Sequence, residues 1–154
     1  AGMKLSIASD HRGLELLEVI KRQLLEGGHD VRLRGPQQEE SCDYPDLAAM
    51  VCADMQSAEA ERGILICGTG IGMCITANKF KGVRAALALD ELSAQLSRSH
   101  NDANVLCLSG DLVGHALARR ILDTWMSTGF DGGRHARRVD KISQLESRPG
   151  VTKP

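Results

Sequence analysis

The apolar run Gly63-Ile64-Leu65-Ile66-Cys67 ends directly in Gly68-Thr69-Gly70-Ile71-Gly72, and this feature constrains the fold most. A strand without polar alternation has no face to offer to water, so it belongs in a sheet covered on both sides. Such sheets are parallel, with helices as crossovers. The rest of the chain supplies them. Strand-like runs at residues 4–9, 30–33, 63–67, 84–89 and 103–108 alternate with helix-length segments at 13–26, 47–57, 72–80, 91–99 and 113–128. In the first helix Leu14, Leu17, Ile20 and Leu24 recur at near-helical spacing. Gly27-Gly28 closes it as a left-handed cap would, and Pro45 sits where a first helical turn tolerates it. A last helix is expected over 134–146, after the break at Gly132-Gly133. The expected fold class is α/β, a three-layer α/β/α sandwich on a five-stranded parallel sheet.

The 154 residues fit one domain, expected over 3–147. Ala1-Gly2 before Met3 reads as a cloning scar, and 148–154, polar with two prolines, as a loose tail. A net charge of -1 supplies no field for nucleic acid or a membrane surface, and 3% aromatics leave no base-stacking platform. No apolar run approaches the roughly 20 residues of a membrane helix, and no signal segment is visible. The five cysteines, Cys42, Cys52, Cys67, Cys74 and Cys107, are odd in number and contain no Cys-x-x-Cys pair. That argues against a disulfide framework or zinc site and for a reducing compartment, so the expected location is cytoplasmic.

Parallel sheets bind ligands at the carboxyl ends of their strands. The loops to inspect are therefore 9–13, 67–72, Asp90 and 109–112. In Cys67–Gly72, three alternate glycines allow a tight turn whose amides converge on an anion. It is no dinucleotide fingerprint, since Met73 stands where the third glycine belongs, and no Walker loop, since no Gly-Lys-Ser/Thr follows. A plain strand–helix turn also fits. Cys67 opens this loop, where a helix N-terminus favours a thiolate able to act as base or nucleophile; a small buried hydrophobe is the alternative. Cys52, Cys74 and Cys107 read as such hydrophobes, and Cys42 has no clear role. Asp10-His11 follows the first strand and faces the expected cleft, or else merely caps a helix. His100-Asn101-Asp102 lies between a helix and the fifth strand, and a polar helix end is equally compatible. His29 and His115 read as solvated. Arg134 and Arg138, four apart, share a helix face and can grip one phosphate, although an ordinary charged face fits too. Arg137 points about 100° away.

Together these residues resemble the type B ribose-5-phosphate isomerase family, which includes allose- and galactose-6-phosphate isomerases. The likeness runs from about Lys4 to Glu146. It is carried by Ser9-Asp10-His11, Asp43-Tyr44-Pro45, the Gly63 to Gly72 segment, Ala77-Asn78-Lys79-Phe80, Ala94-Gln95-Leu96-Ser97-Arg98, His100-Asn101-Asp102 and Gly132-Gly133-Arg134-His135. The resemblance implies strand order 2-1-3-5-4. It implies that Cys67 moves a proton between C1 and C2 through an enediol, with the amides of Gly68, Gly70 and Gly72 holding the enediolate oxygen. Thr69 would steady the thiol and a sugar hydroxyl. His100, with Asp10, would open the furanose ring. Asn101 and Tyr44 would contact sugar hydroxyls, and His11, Arg134 and Arg138 would hold the phosphate. A second subtype replaces the cysteine by a glutamate on the following helix; that position here is Met73, so the chain follows the cysteine subtype. No metal and no cofactor are implied. The partners implied are a phosphorylated sugar and a second copy of the chain, as homodimer or dimer of dimers with shared sites.

Ribose 5-phosphate to ribulose 5-phosphate is the expected reaction. Three rivals remain: a six-carbon sugar phosphate, a non-catalytic nucleotide- or phosphate-binding module, and a cysteine-nucleophile hydrolase or phosphatase. The low-molecular-weight phosphatase pattern would need arginine where Met73 stands.

Overall fold

The computed structural model describes residues 2–36 and 41–148. Strands and helices alternate as β1 (Lys4–Ser9), α1 (Leu14–Glu26), β2 (Asp30–Leu33), α2 (Tyr44–Gln56), β3 (Arg62–Cys67), α3 (Ile71–Ala77), β4 (Ala85–Leu87), α4 (Glu91–Ser99), β5 (Val105–Ser109) and α5 (His115–Ser127), with α6 (Arg134–Leu145) last. The sheet is parallel throughout, in order β2-β1-β3-β5-β4. Of the tail at 148–154, all but Arg148 lies outside the described residues, as does Ala1.

Side chains on β3 alternate between two apolar layers. Ile64 and Ile66 join Leu106 and Leu108 of β5 under α1, α4 and α5. Leu65 and Cys67 join Val105 and Cys107 under α2 and α3. Ile64, Leu65 and Ile66 are fully buried, as the unalternating apolar run requires. The same two-residue period turns the Cys67 side chain toward α2 and α3.

Element ends differ from the expected ones where side chains replace backbone partners. The helix expected to reach residue 80 stops at Ala77, because Asn78 behaves like a short piece of strand. Its Oδ1 accepts from the Ala85 amide at 2.8 Å and its Nδ2 donates to the Ala85 carbonyl at 2.9 Å. β4 starts at Ala85 rather than 84 because the Arg84 amide donates to Asn104 Oδ1 at 2.7 Å. α2 begins at Tyr44 rather than 47, with extended Asp43 at the N-cap and Pro45 in the first turn.

β1 is followed by β2 on one side and β3 on the other, so the sheet reverses direction between the carboxyl ends of β1 and β3. A crevice opens at such a reversal. Beneath it, buried Asp54 of α2 ties three elements together. Ser6 Oγ donates to it at 2.7 Å, and Arg32 and Arg34 pair with it, each at 3.2 Å. Asp54→Ala strands the buried Ser6 hydroxyl and should lower stability by about 2 kcal/mol, read as an earlier urea midpoint with an unchanged slope. An unshifted midpoint would show that this cluster contributes nothing net.

Candidate active site

At the reversal point, Asp10 and Cys67 continue neighbouring strands. The Asp10 amide donates to Ile66 O at 3.1 Å, which carries the β1–β3 ladder one residue past Ser9. Asp10 is 6% exposed, and its Oδ1 accepts from the Arg12 amide at 3.0 Å, a turn that leaves His11 exposed. Cys67 is 4% exposed. Gly70 has φ +78°, a left-handed conformation that glycine adopts without strain. That turn aims the Gly70 amide at Cys67 Sγ, 3.2 Å away. Such a bond strengthens when the sulfur carries charge. A Cβ at Gly70 would also fall 2.6 Å from Leu87 Cδ1, so the loop has no room for one.

Two of the loop amides have partners within the loop. The Gly70 amide is given to the sulfur and the Ile71 amide to Thr69 Oγ1 at 3.2 Å. The Thr69 hydroxyl oxygen thus caps the loop backbone. Tyr44 lies over Gly72, where an added Cβ would sit 2.4 Å from its Cζ and 2.7 Å from its hydroxyl. This close approach needs glycine at 72 and places a phenol beside the loop. On the other flank, Ser109 Oγ donates to Gly68 O at 2.6 Å and accepts from the Leu112 amide at 2.9 Å. Arg12 was not anticipated. Its guanidinium covers Gly68, where a Cβ would fall 2.9 Å from Cζ, and it pairs with Asp111. The signal was present: both residues occupy loops at strand carboxyl ends.

His100, Asn101, Arg134 and Arg138 lie elsewhere. His100 is the C-cap of α4, and the chain then enters β5 at its amino end. Ser109, not Val105, is the register partner of Cys67. Along the strand direction their backbones are therefore separated by the length of β5, about 13 Å at the usual strand rise. Buried Arg98 shapes the turn carrying His100 and Asn101. Its Nη1 donates to Asp102 Oδ1 at 2.9 Å and Ala103 O at 2.7 Å, and its Nε to Thr128 O at 3.3 Å. Asp131, which sequence reasoning passed over, donates its amide to Ser99 O at 3.0 Å and so brings α6 against this turn. His135, of uncertain role in the sequence, stacks on His100 with centroids 4.1 Å apart. Arg134, Arg137 and Arg138 are exposed. Among the described residues, no hydrogen bond joins this group to Cys67.

The family model for ribose/galactose isomerases matches residues 5–142. The chain belongs to that family. It is 43% identical to ribose-5-phosphate isomerase B of Escherichia coli K12, over 94% of this chain and 97% of that protein. Among solved structures, a ribose 5-phosphate isomerase of Thermotoga maritima superposes with TM-score 0.90 at 52% identity, covering 94% of this chain and 99% of that one. Ribose-5-phosphate isomerase B of Mycoplasma genitalium with bound ribulose 5-phosphate gives TM-score 0.90 at 44% identity, over 94% and 97%. The parallel sheet and its strand order are those the family resemblance implies. No helix among the described residues is long and apolar enough to cross a membrane.

The remaining histidines and thiols divide by surroundings. His29, read as solvated, instead accepts the Met3 amide on Nδ1 at 3.1 Å. His115 is exposed at the start of α5. Cys52 and Cys107 are buried as expected, whereas Cys74 is half-buried. The hydrogen bond with Cys107 lowers the Cys74 pKa to about 7, helped by the Leu87 backbone and opposed by burial. Burial raises Cys52 to about 11. The same bond to Cys74, then burial, pushes Cys107 well up. A thiolate forms as pH rises through the pKa, so alkylation of Cys74 by iodoacetamide should rise to half its plateau near about pH 7. Peptide mapping should show Cys52 and Cys107 unlabelled under those conditions. Equal labelling of all three would contradict this division.

Proposed function

We propose that the chain interconverts ribose 5-phosphate and ribulose 5-phosphate, in sites shared between two copies. The observation that carries this reading is the Gly70 amide on Cys67 Sγ at the sheet's reversal point. The thiolate takes a proton from C2 of the open-chain aldose and returns it to C1, through an enediolate. Charge that builds on the sugar oxygen is met by the loop amides not already committed to Cys67 and Thr69. Tyr44, held over Gly72, and Asn101 contact sugar hydroxyls. His100 and Asp10 open the ring by proton transfer. His11, Arg134 and Arg138 hold the phosphate, whose binding energy orients carbons remote from it. No redox partner enters the balance: one proton moves from C2 to C1 and another from the C2 hydroxyl to the C1 oxygen, so the two carbons exchange oxidation levels within one molecule.

Cys67 and Asp10 stand at one end of the sheet, and His100 and the arginines at the other. A second copy, related by a twofold axis, brings the amino-end group of one chain to the carboxyl-end loop of its partner. Exposed apolar residues support such pairing. Ile71 and Ile75 of α3, Leu92 of α4 and Leu112 lie on the surface. A cleft of ≈ 990 Å³ beside β4, lined by Phe80, Val83, Ile142 and Leu145, also runs past Asn101. Surfaces of this kind on one chain mark an interface. The one-domain reading over 3–147 and a cytoplasmic place accord with this enzyme and stand as part of the same proposal.

A panel of five- and six-carbon aldose phosphates, assayed with chelator and compared by kcat/KM, should rank ribose 5-phosphate first. Preference for a six-carbon phosphate would move the chain to the galactose side of its family, and no isomerisation of any of them would end the enzyme reading. Cys67→Ser should lower kcat by about 10²–10⁴-fold while sugar phosphate still binds. Two silent variants then test the sharing. Mixing Cys67→Ser with His100→Asn and allowing subunit exchange should restore about a quarter of wild-type activity, since half of the pairs carry one intact site. No restoration, with exchange verified by mass spectrometry, would place both residues in one chain's site.

A further inference from the structure

The described residues bring one group of metal-ligating side chains together: His100 at the end of α4, Asp131 in the link before α6, and His135 in the first turn of α6. One donor atom of each lies within 4.8 Å of the others. The two imidazoles stack, with planes 8° apart, so their in-plane lone pairs run parallel and one ring must turn out of the stack to share an ion. None of the three side chains has a hydrogen-bond partner among the described residues. Their positions are set by backbone instead. Asp131 is tied to Ser99 O, and the His135 amide donates to Gly132 O at 3.0 Å. Gly132 and Gly133, at φ +68° and +57°, turn the chain between them.

Two imidazoles and one carboxylate are the donors preferred by zinc and similar borderline divalent ions. Imidazole coordinates through a ring-nitrogen lone pair, and Arg134 and Arg138 share α6 with His135. The same two arginines repel a cation, but both are exposed and screened, and Asp131 offsets part of their charge. Zinc–donor bonds of about 2.0–2.2 Å require donors roughly 3.5 Å apart. The group must therefore contract by up to about 1 Å, and half-buried His100 must turn its ring off His135 to aim a lone pair at the same ion, a rotation that exposed Asp131 can follow.

We propose that His100, Asp131 and His135 form a binding site for a zinc-type divalent cation, and that the bound ion silences the enzyme by occupying the His100 lone pair. The ion is no participant in turnover. Ring opening uses a His100 nitrogen in the proposed mechanism, so ion and sugar compete for it. The silencing rests on the proposed role of His100; the binding rests on the geometry alone.

The test titrates the whole protein with zinc chloride by calorimetry in a non-chelating buffer, alongside the isomerase rate. The wild type should take up one zinc per chain and lose turnover, which excess chelator restores. Asp131→Asn keeps the backbone bond to Ser99 O that seats α6, and its inhibition is read against its own zinc-free turnover. It should bind zinc about tenfold or more weakly and need correspondingly more for half inhibition; His135→Gln should show the same loss of affinity. Zinc affinity unchanged in both variants, as when the ion sits on the Cys67 thiol, would overturn the site, and so would no uptake by the wild type. Zinc bound with turnover undiminished would overturn the silencing. An enzyme inactive even without zinc would count against the isomerase reading, while the calorimetry would still decide the site.

Discussion

One left-handed residue governs the carboxyl-end loop. With φ +78°, Gly70 folds its amide back onto the sulfur of Cys67, closing a turn in which the side chain that ends β3 is bonded by the backbone that starts α3. Everything around it accommodates that closure. Leu87 and the Leu108 carbonyl leave no volume for a Cβ there, Tyr44 lies against Gly72, and Arg12 covers Gly68. The glycines are thus spaced by three separate close approaches, each of which would fail for a different reason if a side chain were added.

The parallel register sets the second constraint. Cys67 pairs with Ser109 and Gly63 with Val105, so the length of β5 stands between the sulfur and the turn bearing His100. The proposed pairing of two copies rests on this separation, and the apolar surface around α3, α4 and the ≈ 990 Å³ cleft is where that pairing would gain its burial.

Much of the architecture was legible in the residues. The unalternating run at 63–67 required a doubly covered strand, and the recurring strand–helix pattern required crossovers. The strand order came from family likeness, because hydrophobic pattern contains no information about which strands are neighbours. Element ends were less legible. Asn78 and Asn104 terminate α3 and delay β4 through side-chain bonds to backbone, and no periodicity reveals which asparagine will do so. The loop with Cys67 was readable from its glycines. Arg12 and Asp131 were not, because their roles depend on contacts across 99 positions in one case and on a backbone bond to Ser99 in the other. Cys74 was read as core on its helical position alone; its partial exposure follows from its place at the edge of the α3 layer.

The sole indole of the chain, Trp125, is fully buried among α1, α4 and α5, with the Arg62 guanidinium 5.0 Å from its ring. It stands on the opposite side of the sheet from the layer that holds Cys67. The molecule therefore carries an optical gauge of one helical layer only. Its ultraviolet emission reports whether α5 is seated and is deaf to events on the other flank. Solvent relaxation around the ring signals loss of packing, and a silent spectrum during ligand addition says nothing about whether a ligand has arrived.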